Sequence, residues 1–120
     1  MNYSHQLHPE AEEELRFIAK YFMDEASLTV ALNFLDAVED SANRITQELN
    51  NRVRRRPKFD EIFAMPIKAN PERQNYAKDF STYMLWYEID DENQQVVIWS
   101  IDSTDRNPEL IIQNLRKRKR

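Results

Sequence analysis

The sequence predicts an α+β domain in which a helical hairpin packs on one face of a small antiparallel sheet. Two amphipathic stretches fill the first half, two apolar runs of strand length follow at residues 83–89 and 95–101, and a proline-opened helix closes the chain. Strand, two helices, three or four strands and a short helix, in that order, are typical of this class. A chain of 120 residues has the length of one domain, so we assign residues 1–120 to a single unit.

Composition excludes several classes of protein. The chain is 41% hydrophobic and 32% charged, which indicates a soluble globular domain. It has no cysteine and only two histidines without convergent spacing, so we expect no disulfide, metal site or cofactor. It has no glycine, which excludes phosphate-cradling glycine loops and leaves positive φ angles to Asn, Asp or similar residues. No apolar run spans a bilayer and no secretory leader is visible, so we expect a cytoplasmic protein without a membrane partner.

Charge is unevenly distributed, although the net charge is only −4. The first half is acidic, while the middle and the C-terminal end are basic, a balance that disfavours a dedicated nucleic-acid binder but not a local patch. The run "RVRRR" at 52–56 is either a solvated loop or a contact for an acidic partner or nucleic acid. The tail "RKRKR" at 116–120 is either mobile or part of a target-binding surface.

The first half contains a strand and a helix. Residues 2–8 alternate apolar and polar side chains, which predicts a short strand. Pro9 suits the first position of a helix, and a run of glutamates follows where the helix dipole favours anions. Leu15, Ile18 and Phe22 recur at helical spacing and form its apolar face.

A second helix begins after Ser27, a good N-cap. Its apolar residues recur in steps of three and four, a heptad-like stripe that predicts an antiparallel helical hairpin. The alternative is an intermolecular coiled coil, and with it a homodimer. The stripe consists of Leu28, Ala31, Leu35, Val38, Ala42, Ile45 and Leu49.

The second half is rich in strands. The segment 50–59 is a loop, in which Pro57 ends any helix that reaches it. The segment 60–68 predicts a short strand that Pro66 confines to a sheet edge or a bulge. The segment 75–80 is a further possible strand. The two apolar runs at 83–89 and 95–101 form a hairpin across the turn "DDENQ".

A short final helix follows the hairpin. Asn107 is its predicted cap and Pro108 its first residue, with Leu110, Ile111 and Leu115 on its apolar side.

Both hairpin strands are apolar on both faces. One face should pack on the helices, and the other is either covered or a binding surface. Trp86 and Trp99 lie on neighbouring strands, where they either stack in the packing or belong to that binding surface. Tyr83 and Tyr87 share a face with Leu85, so they are either core aromatics or acid–base groups.

Four stretches, in this order, resemble the RelE/ParE superfamily of toxins from bacterial type II toxin–antitoxin systems. They are "LHPEAEEELRFIAKYF", "FLDAVEDSANRI", "KDFSTYMLWYEID" and "VVIWSIDSTDRNPE", and together they span nearly the whole chain. The resemblance implies a growth-inhibiting toxin of a plasmid-stabilisation module. A cognate antitoxin would wrap it with an amphipathic helix, and often a strand, in a toxin–antitoxin hetero-oligomer. RelE-like members cleave mRNA on the ribosome, whereas ParE-like members poison DNA gyrase and are not nucleases, so the fold alone does not settle the activity.

Carried over residue by residue, the resemblance implies candidate catalytic groups at Lys78, Tyr87 and Arg106, with Lys68 and Arg73 upstream. Ribonucleolytic cleavage needs a base, an acid and cations around the phosphate. The candidate residues for binding a target or antitoxin are Arg73, Lys78, Trp86, Trp99 and Arg106.

Three carboxylates depart from the nuclease pattern. Asp102 replaces the histidine at the exit of the last strand, Asp105 replaces the first of two arginines, and Asp79 stands where a cation is common. These carboxylates would repel phosphate. The sequence therefore favours a ParE-like gyrase inhibitor, with a RelE-like ribonuclease or a degenerate toxin that only binds its antitoxin as alternatives.

Overall fold

The computed structural model describes residues 2–68 and 80–119. The α+β fold predicted from the sequence is confirmed, with the helical hairpin on one side of the sheet and the last helix on the other. The elements are β1 (Ser4–Leu7), α1 (Pro9–Glu25), α2 (Leu28–Asn50), β2 (Phe63–Pro66), β3 (Tyr83–Asp90), β4 (Gln95–Ser103) and α3 (Pro108–Arg118).

Each helix begins where a local cap satisfies its first free amides. Ser27 Oγ accepts from the Val30 amide at 3.1 Å, and Asn107 Oδ1 accepts from the Glu109 amide at 3.0 Å, as their positions predict. His8 caps α1 through Nδ1, which accepts from the Glu10 amide at 3.2 Å. This histidine therefore has a structural role at the junction of β1 and α1.

The four strands lie in the order β1-β4-β3-β2. β2 is an edge strand, as Pro66 predicts, and it pairs antiparallel with β3. The hairpin of β3 and β4 is confirmed, with a register shift that makes Trp99 an extra residue opposite the step from Trp86 to Tyr87. β1 runs parallel to β4, so the sheet is mixed at one edge. The possible strand at 75–80 falls almost wholly outside the described residues.

The left-handed backbone positions only partly follow the expectation. Among the described residues they are Arg52, Asp60 and Gln94, with φ angles of 62°, 48° and 53°. Asp60 is of the expected type, while Arg52 and Gln94 are not. Gln94 ends the hairpin turn, where the Asp90 carboxylate accepts from the Asn93 amide at 3.1 Å and side chain at 2.8 Å. These bonds close the turn without glycine.

The main core lies between the helical hairpin and one face of the sheet, and four aromatic rings fill its centre. Phe34 is fully buried on α2 and contacts Phe22, Phe80 and Tyr83 at centroid distances of 5.2, 5.3 and 5.5 Å. These tilted and edge contacts stabilise aromatic pairs beyond the effect of burial alone. They join α1, α2 and the start of β3 into one unit.

The stripe on α2 is only partly as predicted. Leu28 is 60% exposed and Leu35 36% exposed, whereas Phe34, Ala37 and Ser41 are buried. A helix lying on a sheet buries a face wider than a heptad seam, so it includes residues that the alternating steps omit. The rest of the stripe packs inside the chain's own core, so few of its residues are available for an intermolecular coiled coil.

The second face of the sheet is covered by α3. Ile62, Trp86, Ile111, Ile112 and Leu115 form this smaller core. Ile111 and Leu115 are buried as predicted, but Leu110 is 54% exposed and Ile112 takes its place. The basic tail is helical to Arg118, whose side chain contacts Glu10 and Glu14.

Candidate functional site

A groove of about 590 Å³ lies between α1 and the exit of β4, and we call it the exit groove. Its size falls within the usual range of ligand pockets. Ile18 and Ile101 form an apolar floor with Tyr83, and Phe17 stands on the α1 wall with 76% of its surface exposed. The predicted site residue Arg106 is at the rim, so the polar exit of the hairpin lies in a cleft.

Carboxylates outnumber cations around the exit groove. Glu10, Glu13, Glu14 and Asp102 line it, against two arginines. Arg106 Nη1 donates to Asp102 Oδ1 at 2.8 Å, and the side chain of Asp102 is only 7% exposed. The cation of Arg106 is therefore paired with a buried carboxylate at the strand exit. A phosphate entering here would meet an excess of negative charge.

A polar network continues from Arg106 into the molecule. Asp102 accepts from Ser100 Oγ, which is buried and also lies 3.3 Å from Glu14 Oε1. Glu14 in turn contacts Arg118 of α3 at 3.2 Å. The network thus joins α1, β4 and α3 around the inner wall of the exit groove.

Glu14 and Arg118 also cap the outer edge of β4. β1 pairs with β4 only as far as Ile98. Beyond that point, Glu14 Oε1 accepts from the Ile101 amide at 3.2 Å, and Arg118 Nη1 donates to the Trp99 carbonyl at 2.7 Å. Two side chains therefore satisfy backbone groups that a neighbouring strand would otherwise pair.

Tyr87 does not face the exit groove. It is 2% exposed in the main core and stacks on Phe63 with ring centroids 5.3 Å apart. It borders a separate small crevice with Glu48 and Arg55. Burial raises the pKa of the Tyr87 phenol to about 12, and nearby Arg55 only partly offsets this. Of the two interpretations of Tyr87, the structure places it in the core, apart from Arg106.

We expect the free energy of unfolding to fall at alkaline pH because Tyr87 is buried. The phenol has a higher pKa in the folded chain than the ordinary 10, so its contribution is complete below pH 10 and is lost as pH rises towards 12. The free energy of unfolding should fall by about 3 kcal/mol across that window. Urea titrations at stepped pH would measure it, with Tyr87→Phe as the comparison. An equal alkaline loss in both proteins would contradict the assignment to Tyr87.

The tryptophans lie on the α3 side of the sheet. Trp86 is 2% exposed beneath α3, and Trp99 is partly buried against the same core. The ring partner of Trp99 is His8, with centroids 4.8 Å apart. Of the two possibilities for this face, the structure shows that the chain covers it itself.

Among the remaining sequence candidates, Lys68 is not part of the exit groove lining. Lys68 is exposed, and its backbone amide and carbonyl bond to Ser41 Oγ at 3.0 and 3.1 Å. Arg73 and Lys78 lie outside the described residues. Within residues 2–68 and 80–119, no group of three or more His, Asp or Glu side chains could hold a metal ion.

Sequence reasoning missed the network behind the pair of Arg106 and Asp102. Ser100, Glu14 and Arg118 come from three different elements, and no spacing along the chain connects them. One local signal existed, since Ser100 and Asp102 are polar residues two apart that follow the apolar run of residues 96–99. Such a pair at inward positions indicates a buried hydrogen-bonding partner elsewhere in the fold.

A helical hairpin on a small sheet, with an arginine at the exit of the last strand, is the arrangement that the RelE/ParE resemblance implies. The sequence matches the family model of the ParE toxin of the type II toxin–antitoxin system, parDE, over residues 6–108. The chain belongs to this family, and an antitoxin is therefore its implied partner. No curated protein matches the sequence. In the described part of the chain, no helix is long and apolar enough to cross a membrane.

Proposed function

We propose that the protein is a growth-inhibiting toxin that acts on DNA gyrase and is not a ribonuclease. The observation that carries this proposal is the state of Arg106. Its guanidinium is paired with Asp102 in an acidic groove, while Tyr87 is buried elsewhere with a pKa near 12. Among the described residues, Tyr87 does not converge with Arg106. Tyr83 does line the groove with Arg106, but burial raises the pKa of its phenol, which disfavours the ionised form that a base would need.

Arg106 is still well placed to bind a protein. Its side chain is 56% exposed at the groove rim, and its pairing with Asp102 fixes its direction. Arginine is among the residues that most often dominate binding energy at protein interfaces. We therefore place Arg106 in the contact with gyrase.

The antitoxin, in this proposal, covers the helical hairpin. The expectation that it docks on a bare sheet face is not supported, because α3 already occupies that face. The apolar surface that remains open lies on the helices, where Phe17, Leu28 and Leu32 are 76%, 60% and 51% exposed. An amphipathic helix of the antitoxin is the kind of partner that fits such a surface.

Induced expression in a bacterial host tests the function. Wild type should arrest growth, alter plasmid supercoiling and leave bulk mRNA intact. Arg106→Ala should weaken gyrase binding by about tenfold or more, which corresponds to about 1.4 kcal/mol. The matched control is Arg16→Ala, because Arg16 also pairs with a carboxylate four residues earlier, at 2.7 Å, but lies away from the groove lining.

The other outcomes separate the alternatives. Arrest with cleaved mRNA would assign the protein to the RelE-like ribonucleases. No arrest, together with capture of the antitoxin on co-expression, would leave a degenerate toxin that only binds. Equal loss of toxicity in Arg106→Ala and Arg16→Ala would remove Arg106 from the contact surface.

A further inference from the structure

The loop between α2 and β2 is held in place by two of its arginines. Arg54 donates to both carboxylate oxygens of Asp91 at 2.8 and 3.2 Å. Arg55 forms a bidentate pair with Glu48, with both distances 2.7 Å. Bidentate pairs of this kind restrict direction as well as adding energy. The loop is therefore anchored to the hairpin turn and to the end of α2.

The other cations of this loop are not used in that anchoring. Arg52, Arg56 and Lys58 are exposed, and within the described residues their side chains have no hydrogen-bond or ion-pair partner. Because the loop is anchored, its unpaired cations are preorganised for binding an anion. The same cations on a free loop would first have to be ordered.

The last turn of α3 adds to this surface. Arg116 contacts Asp60 at 3.2 Å, which places the helix beside the loop. Both partners are mostly exposed, so the pair is weak and its cation is available. Lys117 is exposed and, within the described residues, has no side-chain partner. Asp60 and Glu61 are exposed acids of the same loop, and Asp91 and Glu48 beside it are paired with Arg54 and Arg55. We define the basic face as the five remaining cations, Arg52, Arg56, Lys58, Arg116 and Lys117.

The composition of the basic face favours nucleic acid over protein. Protein interfaces have an apolar centre and are depleted in lysine there. The large hydrophobic residues exposed on this loop are Val53 and Phe59, and they are six residues apart with cations and a proline between them. A phosphate backbone requires cations and no apolar centre.

We propose that the basic face binds the phosphate backbone of double-stranded DNA. This proposal rests on the proposed function and deepens it, because gyrase is bound to DNA when it acts. The acidic half of the chain is repelled by DNA and the basic face is attracted. The protein would therefore engage gyrase and its DNA together, with the basic face towards the duplex.

Binding of the purified chain to a fluorescein-labelled duplex of about 30 base pairs tests this directly. Anisotropy titrations across about 20 to 200 mM NaCl should give a plot of log K against log salt with a slope of about −3 to −4. Arg56→Gln with Lys58→Gln should reduce the size of the slope by about 2. The control is Arg16→Gln with Lys20→Gln, which removes the same charge from α1 and should leave the slope unchanged.

Three results would overturn the proposal. The first is no DNA binding at the lowest salt, and the second is an equal change in slope for the two double variants. The third is that Arg56→Gln with Lys58→Gln no longer binds gyrase when DNA is absent from the assay. That result would mean that the basic face contacts an acidic protein surface. The growth and supercoiling assay of the wild type tests the proposed function separately. DNA binding without toxicity would contradict only the gyrase assignment. Toxicity without DNA binding would contradict only the proposal for the basic face.

Discussion

Phe34→Ala should lower the free energy of unfolding by about 3 to 5 kcal/mol, because it opens a cavity that rigid neighbours fill poorly. The Phe34 ring is fully buried and contacts three other aromatic rings. The free energy of unfolding of a chain of this size is about 5 to 15 kcal/mol in total, so the variant should be close to unfolding at growth temperature.

Leu32→Ala on the same helix is the matched control. Its side chain is 51% exposed, so we expect a change within about 1 kcal/mol. Urea titrations with a tryptophan fluorescence readout would measure both variants. Similar losses in the two would mean that α2 does not bury the face seen in the structure. If Phe34→Ala does not accumulate, Phe34→Leu gives a smaller loss of the same sign.

Arg118→Met should lower the free energy of unfolding by about 2 to 3 kcal/mol. The Arg118 side chain is 14% exposed and holds Glu14, Glu10 and the Trp99 carbonyl. Methionine replaces much of its packing but leaves a half-buried carboxylate without its cation and a backbone carbonyl without its donor. The edge of β4 should loosen as a result.

Arg116→Met is the comparison, because its pair with Asp60 is exposed and should contribute about 1 kcal/mol or less. Hydrogen exchange gives the specific readout. The amide of Ile101 bonds to Glu14 at 3.2 Å, and it should exchange faster in Arg118→Met than in Arg116→Met. Unchanged protection at Ile101 would show that Glu14 caps the strand without help from α3.

The helix starts could be predicted because their signals are local. Ser27, Asn107 and Pro9 act on amides within a few residues, so the same chemistry is readable without the fold. The β3–β4 hairpin and the edge position of β2 were also predictable, since a turn and a proline specify them. The resemblance to the ParE family came from the order of such segments, and the family match agrees with it.

The candidate site was less predictable because its residues are joined across the chain. Glu14 and Arg118 are 104 residues apart, and each belongs to a run of like charges in which no member stands out. Tyr87 lies on the same face of the sheet as the floor of the exit groove, but further along β3, beside Glu48 and Arg55. That separation depends on how α2 and the following loop pack on the sheet.

Sequence alone determined the fold class, the helix starts, the hairpin and the family, since these follow from patterns within one segment or from their order. Tertiary structure decided that α3 covers Trp86, that β1 pairs parallel to β4, and that Arg106 lies in an acidic groove. These features depend on contacts between distant segments, and their energies are set by burial and charge at the point of contact, which local patterns do not encode.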